Sequence, residues 1–385
     1  MKDGQKETEL YVHIPFCVRK CLYCDFLSAA ADAETRERYV RALSEEIRGR
    51  AEECAGYRVT SVFFGGGTPS VLTGEQIKRL LDEIRDGYCL TGDAEITVEV
   101  NPGTADREKL ERFRAAGVNR LSIGLQSARD EELETIGRIH TWEQFLEVYH
   151  GAREAGFENV NVDLMSALPG QSLGDYLETL HKVTGLEPVP EHISAYSLIL
   201  EEGTPLYELC ERGVLRLPDE ETDRLMYRET KRILRRKGYR RYEISNYAKE
   251  GRECRHNCGY WQRKNYLGFG IGAASMKENV RYKNGEELSA YLRRPLGCRR
   301  DFQKLGLAEQ MEEFMFLGLR MTEGVSESRF ADCFGQEMEQ VYGEVIAKNI
   351  RDGLLIWRGA GTRRLALTDK GLDLSNYVMG QFLLT

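Results

Sequence analysis

The sequence predicts an α/β protein: a partial barrel of six β/α units, then a mixed extension, then a small C-terminal domain. Two patterns carry this prediction. Short runs rich in β-branched residues alternate with amphipathic segments over residues 1–200, as in parallel sheets with crossover helices. The alternation stops near residue 200, and six units are too few for a closed eight-stranded barrel.

Each of the six predicted strands is a short apolar run bounded by polar or turn residues. They cover residues 10–14, 59–64, 95–100, 120–125, 159–164 and 192–197. Amphipathic segments lie between them and include residues 34–53, 73–86, 106–116 and 141–155. Two of these segments end in glycine before the next strand, in AAGV and EAGF, which is typical of helix C-termini.

The remainder of the chain divides near residue 300. Residues 201–300 form the extension and hold the segment HNCGYW (256–261) and a glycine-rich run. Residues 301–385 predict a winged-helix-like domain, with helices at 306–322, 337–351 and 369–384 and a hairpin at 353–368. Such domains often bind DNA, but this one holds more acidic than basic residues. We therefore expect it to act in packing or as a lid.

The overall composition is that of a soluble protein with a large core. Of 385 residues, 41% are hydrophobic and 30% charged, and the net charge of −8 argues against an extended nucleic-acid surface. No run of 18 apolar residues occurs, and the start, MKDGQKETEL, has no apolar signal region. We therefore expect a cytoplasmic protein. Its ten cysteines are then more often metal-binding, catalytic or buried than disulfide-linked.

One segment departs from the acidic average. RLMYRETKRILRRKGYRR, residues 224–241, is strongly basic and has a helical pattern. We interpret it as the solvated face of a helix. The alternative is a face that binds anions or propionates.

Polar residues follow the predicted strands at the ends where parallel sheets bind ligands. They are three cysteines after the first strand, GGGTP (65–69) after the second, Glu99 and NPG at the third, Gln126 after the fourth, Asp163 on the fifth, and Tyr196 and Ser197 on the sixth. Because carboxyl ends of parallel strands meet at one edge, these side chains are expected to share one mouth.

The three cysteines lie in HIPFCVRKCLYCDF, with three and two residues between them. A [4Fe–4S] cluster is normally held by four cysteines, so three leave one iron open to a small molecule. The alternatives are a zinc site completed by His13, three buried free cysteines, and a closed cluster with a distant fourth cysteine. Zinc sites favour paired C-x2-C units, and no clear second pair occurs here. The spacing therefore favours the open cluster.

With these residues the sequence resembles the radical S-adenosylmethionine (SAM) superfamily, whose members bind SAM at the open iron. The resemblance runs from Tyr11 to SNYVMGQFL. It narrows to the branch that contains oxygen-independent coproporphyrinogen III oxidases and HemW-type heme chaperones. It implies a [4Fe–4S] cluster held by Cys17, Cys21 and Cys24. The residues that it implies for SAM binding are Tyr11, Tyr23, Gly66, Gly67, Thr68, Glu99, Gln126, Arg138 and Asp163.

Two features separate the members of this branch. The oxidases carry a further cysteine two residues after the third, where this chain has Phe26, and a longer segment ahead of the cluster than the 16 residues found here. HNCGYW matches the H-N-x-x-Y-W motif of the chaperones, which makes His256 the candidate heme ligand. The alternative is a buried histidine satisfied by a neighbour. We interpret Cys254 and Cys258, which flank it, as incidental.

The resemblance therefore implies a heme chaperone that binds a [4Fe–4S] cluster, SAM and heme. It also implies delivery of heme to an acceptor hemoprotein, such as one of the respiratory chain, with membrane contact only through that acceptor, and a homodimer. Two enzymatic alternatives stay open: oxidative decarboxylation of coproporphyrinogen III and SAM-dependent methyl transfer.

Overall fold

Six parallel strands alternate with helices through the first half of the chain, as predicted. The computed structural model describes residues 6–359 and 361–384, so half of the polar start discussed above lies outside the described residues. The elements are β1 (Lys6–Ile14), α1 (Ala33–Gly49), β2 (Tyr57–Gly66), α2 (Gly74–Gly87), β3 (Leu90–Val100), α3 (Arg107–Ala115), β4 (Arg120–Gln126), α4 (Asp130–Thr135), α5 (Trp142–Glu154), β5 (Val160–Ser166), α6 (Leu173–Thr184) and β6 (His192–Ser197). Strands β1 to β6 pair in chain order, and every pair is parallel.

Local sequence explains where these helices begin and how they cover the sheet. Thr73 and Gln76 form a reciprocal capping box at the start of α2, and Thr141 and Gln144 do the same for α5. Every residue of β4 is buried, as in parallel sheets that are covered on both faces. The helices thus pack on one face of the strands, and polar side chains fill the other.

The extension continues the same sheet at both edges. Its elements are α7 (Pro205–Glu211), α8 (Glu220–Arg236), β7 (Arg240–Arg241), β8 (Asn246–Ala248), α9 (Arg255–Trp261), β9 (Asn265–Phe269), β10 (Ala274–Lys277), β11 (Val280–Asn284), α10 (Leu288–Arg293) and β12 (Arg299–Lys304). β8 pairs with β6, while β9 pairs with β1 in parallel and leads to β10, β11 and β12. The result is one open sheet of twelve strands, a partial barrel rather than a closed one.

The C-terminal elements form a second, smaller unit. They are α11 (Leu307–Gly318), β13 (Val325–Ser326), α12 (Glu327–Phe334), α13 (Met338–Arg351), β14 (Leu355–Arg358), β15 (Arg364–Leu367), α14 (Asp369–Asp373) and α15 (Ser375–Gly380). An antiparallel sheet, β13–β15–β14, packs with the helices, which fits the winged-helix-like prediction. The single helix predicted for 369–384 is wrong, because the chain leaves helical geometry at Leu374 (φ −116°). The sequence did not predict α12 or β13.

Two hydrophobic cores correspond to this division. The first joins side chains of β1 to β6 with Met226, Leu234, Phe269 and Tyr291 of the extension. The second is confined to the C-terminal unit, around Phe330 and Tyr342 among others. The boundaries at residues 200 and 300 stay predictions. Among the described residues, no helix combines the length and apolar character that crossing a membrane requires.

Candidate functional site

The cysteine loop lies directly after the carboxyl end of β1 and is fixed by backbone hydrogen bonds. Cys17 N–H donates to Ala29 O (3.1 Å), and Ala29 N–H donates to Pro15 O (2.9 Å). Further along, Leu22 N–H donates to Ile136 O (3.0 Å). The three cysteines are unpaired and partly buried, and burial raises the pKa of the Cys24 thiol. These hydrogen bonds therefore fix the backbone of the loop that carries the three thiols.

The geometry disfavours a zinc site completed by His13. The two ring nitrogens of His13 are already paired, Nδ1 with Tyr11 Oη and Nε2 with Leu27 O, both at 3.0 Å. Within residues 6–359 and 361–384, no group of three His, Cys, Asp or Glu side chains is arranged to hold a single metal ion.

The glycine segment after β2 packs against the cysteine loop. Gly67 N–H donates to Ile14 O (2.9 Å), and Thr68 N–H donates to Phe16 O (2.8 Å). A side chain at Gly67 would place its Cβ 2.8 Å from Phe16 O and 3.0 Å from Cys17 Sγ. Only glycine allows the two loops to approach this closely. Thr68 Oγ1 lies 3.4 Å from Cys17 Sγ, so the predicted segment does border the cysteines.

Arg138 provides a positively charged side chain beside the cysteines of this mouth. Its Nη1 lies 3.6 Å from Cys21 Sγ, and its Nη2 donates to Gly124 O (2.6 Å) and Asn101 Oδ1 (2.9 Å). The guanidinium therefore places a positive charge beside this sulfur. Arg138 Nε is buried without a hydrogen-bond partner among the described residues. The side chain thus retains donor capacity for an anionic group.

Asn101 is a site residue that the sequence analysis did not select. Its Nδ2 donates to Thr68 Oγ1 (2.7 Å) while its Oδ1 accepts from Arg138. It therefore connects the glycine segment to the guanidinium. Its position in NPG after the third predicted strand was the available signal. A neutral amide, however, carries no ligand chemistry of its own that would single it out.

Below the cysteines, the inner face of the strands surrounds a polar cavity of about 190 Å³. Its lining residues come from β1 to β6 and α9 and include Tyr11, Glu99, Arg120, Asp163, Tyr196 and His256. Glu99 Oε2 accepts from Gly66 N–H (3.2 Å). Burial, and then the proximity of Asp163, raise the pKa of Glu99 to about 8. Asp163 accepts from Ser122 Oγ and Asn161 Nδ2, and burial raises its pKa as well.

The two other predicted SAM residues border the same mouth. Gln126 ends β4 in left-handed backbone geometry (φ 71°), and its amide nitrogen lies beside Gly124 and Arg138. Tyr23 packs against an apolar cluster that contains Ile136 and Leu198. Burial raises the pKa of the Tyr23 hydroxyl, and the positive charge of Arg138 partly offsets this rise. The mouth therefore combines thiols, backbone N–H groups, one cation and an aromatic ring.

His256 lies at the opposite end of the barrel. It is on α9, 1% exposed, with Nδ1 paired to Ser61 Oγ (2.9 Å) and Nε2 to Tyr260 Oη (3.1 Å). Its ring stacks on Phe63 at 5.1 Å, and burial lowers its pKa to about 3. Ser61 and Phe63 precede Gly66 on β2, so His256 borders the cavity on the amino-terminal side of the glycine segment.

Carboxylates hold α9 in this place. Glu95, early in β3, accepts from the N–H groups of Arg255 (3.1 Å) and His256 (3.2 Å), which caps the helix. Glu9 is 1% exposed, and neither of its carboxyl oxygens has a hydrogen-bond partner among the described residues. A Cβ on Gly259 would overlap that carboxyl, so a larger residue there requires the Glu9 side chain or α9 to shift.

The end of α9 contacts the C-terminal unit. The guanidinium of Arg320 lies 4.2 Å from the ring centroid of Trp261, and Arg329 Nη2 donates to Gln262 O (2.9 Å). Cys254 is buried and directs its thiol toward Glu95 (3.6 Å), which agrees with its interpretation as incidental. The motif HNCGYW thus joins the barrel to the C-terminal unit.

Comparison with known proteins agrees with this geometry. The chain matches the model of the radical SAM superfamily over residues 11–183 and that of the HemN C-terminal domain over residues 305–374. The heme chaperone HemW of Lactococcus lactis is 38% identical over 381 residues, which cover 99% of this chain and 98% of that protein. The heme chaperone HemW of Bacillus subtilis is 38% identical over 377 residues, covering 97% and 98%.

A solved structure supports the same fold. Coproporphyrinogen III oxidase (HemN) from Escherichia coli, a radical SAM enzyme, superposes with a TM-score of 0.83 over 99% of this chain and 90% of that chain, at 24% identity. The open parallel sheet and the three-cysteine loop define a protein of the radical SAM class. Within that class the chain belongs to the HemW family, because relatives of that name match it from end to end. The predicted fold class and family are thus confirmed.

Proposed function

We propose that this protein is a heme chaperone that carries a [4Fe–4S] cluster and SAM, takes up heme as cargo and delivers it to an acceptor hemoprotein. The observation that carries the proposal is the match over 99% of the chain to a protein named heme chaperone HemW. The three-cysteine loop and the HNCGYW helix of this chain are in accord with it.

For the cluster, the proposed ligands are Cys17, Cys21 and Cys24. The loop fits such a group because its backbone is fixed at both ends and Gly67 leaves room beside Cys17 Sγ. Arg138 Nη1 lies 3.6 Å from Cys21 Sγ and places a positive charge beside a cluster that would carry three thiolate ligands. When bound, an open cluster of this kind supplies one electron to the SAM on its free iron.

For SAM, the proposed contacts follow its functional groups. The backbone of Gly66, Gly67 and Thr68 offers close approach to the amino group, and Arg138 offers a fork to the carboxylate. Glu99 is proposed for the methionyl or ribose region and Tyr23 for the adenine. The remaining proposed contacts are Tyr11, Gln126 and Asp163. In support, these residues line or border one mouth and the cavity below it.

For heme, the proposed ligand is His256. In the described conformation its ring is buried and both nitrogens are engaged. Ligation therefore requires α9 to leave its place and Tyr260 to release Nε2. A displaced α9 frees a neutral imidazole for iron and the rings of Tyr260 and Trp261 for a porphyrin face.

We further propose that the protein is a cytoplasmic homodimer with three segments, 1–200, 201–300 and 301–385. Its acceptor would be a hemoprotein such as one of the respiratory chain, met at the membrane surface. The net charge of −8 supports a protein acceptor over nucleic acid.

The test is heme transfer by the anaerobically reconstituted protein. We expect a spectrum that responds to SAM, stoichiometric heme uptake and transfer of that heme to apomyoglobin, used as a generic acceptor. The fold similarity to HemN makes coproporphyrinogen oxidation the second candidate. Turnover of coproporphyrinogen III to protoporphyrinogen IX at an enzymatic rate, without heme transfer, would overturn the proposal. Phe26, 68% exposed where the oxidases carry a cysteine, leads us to expect no such turnover.

A further inference from the structure

The basic segment of the sequence forms one face of α8. The opposite face of this helix buries Met226, Ile233 and Leu234 in the main core, and Thr230 bonds Tyr176 Oη (2.7 Å). Residues spaced three and four apart share a helix face. The basic side chains on the outer face are Arg228, Lys231, Arg232, Arg235 and Arg236. They extend over about 12 Å of helix.

This face is one wall of a groove, and the C-terminal unit is the other. The groove holds about 680 Å³ and is lined by the five basic residues, Tyr227, Asp369 and Asp373. Lys231 pairs with Asp369 (2.5 Å) across it, which ties α8 to the start of α14. The groove is therefore a built feature between two units of the fold, rather than one face of an isolated helix.

Three arginines of this groove make no direct ion pair among the described residues, although Glu229, Asp369 and Asp373 lie nearby. Arg232 pairs with Glu229 on its own helix. Arg228, Arg235 and Arg236 are exposed and make no ion pair and no side-chain hydrogen bond in the described part of the chain. In a protein with a net charge of −8, such a concentration of unpaired guanidinium groups attracts anions.

The shape of the groove selects among anions. Apart from Tyr227, every residue that lines the groove is charged, so charge pairing is the main contact that the groove offers a ligand. A single phosphate would meet one or two of cations that spread over about 12 Å. An extended peptide spans about 12 Å with four residues, and its carboxylates match the guanidinium fork.

We propose that this groove binds an acidic protein segment. The inference rests on the proposed function in one respect, because the segment is assigned to the heme acceptor. The carboxylates of the segment would lie along α8, and Asp369 and Asp373 on the facing wall would keep its acidic residues on the α8 side. Electrostatic contacts of this kind mainly accelerate encounter and fix orientation.

The experiment measures fluorescence anisotropy of a labelled deca-glutamate peptide with the reconstituted protein. We expect the variant R228Q/R235Q/R236Q to bind at least tenfold more weakly and with a smaller salt dependence. The matched control is R38Q/R58Q/R351Q, which removes the same charge from exposed arginines elsewhere. We expect its affinity to stay within twofold of that of the unaltered protein. Thermal melts show whether each variant is folded.

Several results would contradict the proposal that the groove binds an acidic protein segment. They are no peptide binding by the unaltered protein, equal loss in both triple variants, or binding to phosphatidylserine vesicles that exceeds peptide binding and depends on the same arginines. Heme uptake and transfer to apomyoglobin are measured alongside. Peptide binding without heme uptake would contradict the proposed heme chaperone function and support the acidic-segment site. Heme transfer without peptide binding would support the chaperone function and contradict the acidic-segment site.

Discussion

The two ends of the barrel satisfy their polar groups in opposite ways. At the mouth, which lies at the carboxyl ends of β1 to β6, the three cysteines form no disulfide and Arg138 Nε is buried without a hydrogen-bond partner among the described residues. At the floor, the amino ends of these strands, α9 occupies the space and His256 has both nitrogens paired. The mouth is prepared for ligands, and the floor is closed by the protein itself.

This difference shows that a residue can belong to a family motif without being part of a site that is ready to bind its ligand. The cysteine loop is framed by backbone bonds and can accept a cluster without a change of fold. His256 is in the sequence motif of the family, yet its pairing must be broken before it can meet iron. The comparison can be tested at each end.

The largest effect is expected from Cys21→Ala. Because two thiolates cannot hold a [4Fe–4S] cluster firmly, this variant should lose essentially all bound iron and sulfide. The loop lies outside both cores, so the circular dichroism spectrum should stay unchanged. The control is Cys89→Ala, which alters an exposed cysteine and should retain the full cluster. Global unfolding of the Cys21 variant would mean that the mouth is part of the core after all.

His256→Ala should be the largest effect at the floor. It removes the ring that stacks on Phe63 and leaves Ser61 and Tyr260 unpaired, which costs about 3 kcal/mol of unfolding free energy. Heme affinity should fall at least tenfold while cluster absorbance is unchanged. The control is the exposed His150→Ala, expected within about 0.5 kcal/mol. Unchanged heme binding would remove His256 from the site.

Gly259→Ala tests whether glycine is required for the floor to close. The added Cβ overlaps the Glu9 carboxyl, and such overpacking costs about 2 kcal/mol. The control is Gly343→Ala within α13, where a Cβ meets no atom within 4 Å. It should stabilise by up to about 1 kcal/mol.

The second variant that sharpens this test is Glu9→Ala/Gly259→Ala. Removing the Glu9 side chain clears the overlap, so the glycine substitution should cost almost nothing in that background. Urea unfolding measures all four proteins. Equal cost of Gly259→Ala with and without Glu9 would show that the carboxyl is not what the glycine accommodates.

The smallest effect concerns Glu99 and pH in the protein without cofactors. Its pKa is raised from 4.5 to about 8, so its contribution to stability is complete below pH 4.5 and is lost as the pH rises to about 8. Between pH 6 and 7 this amounts to about 1 kcal/mol. Glu99→Gln should make the fall in unfolding free energy shallower, and Glu45→Gln, at an exposed position, should not. If the unfolding free energy fell equally steeply with pH in both variants, the raised pKa of Glu99 would be contradicted.

Much of the fold follows from local sequence. The six strands were predicted because buried parallel strands read as short apolar runs, and the cysteines because their spacing is specific. Asn101 was missed because an amide acts here only through its two neighbours. The place of α9 could not be predicted, since it depends on contacts with Glu9 and Ser61 about 200 residues and more away in the chain.

The pairing of β9 with β1 has a consequence for how the chain can be made. Until residue 269 has left the ribosome, the backbone donors and acceptors along one side of β1 have no neighbour, and an uncovered strand of this kind recruits other chains. A fragment that stops at the end of the six β/α units would therefore precipitate, although it carries every cysteine of the loop. β9, which is synthesised late, thus covers the free edge of β1, which is synthesised first.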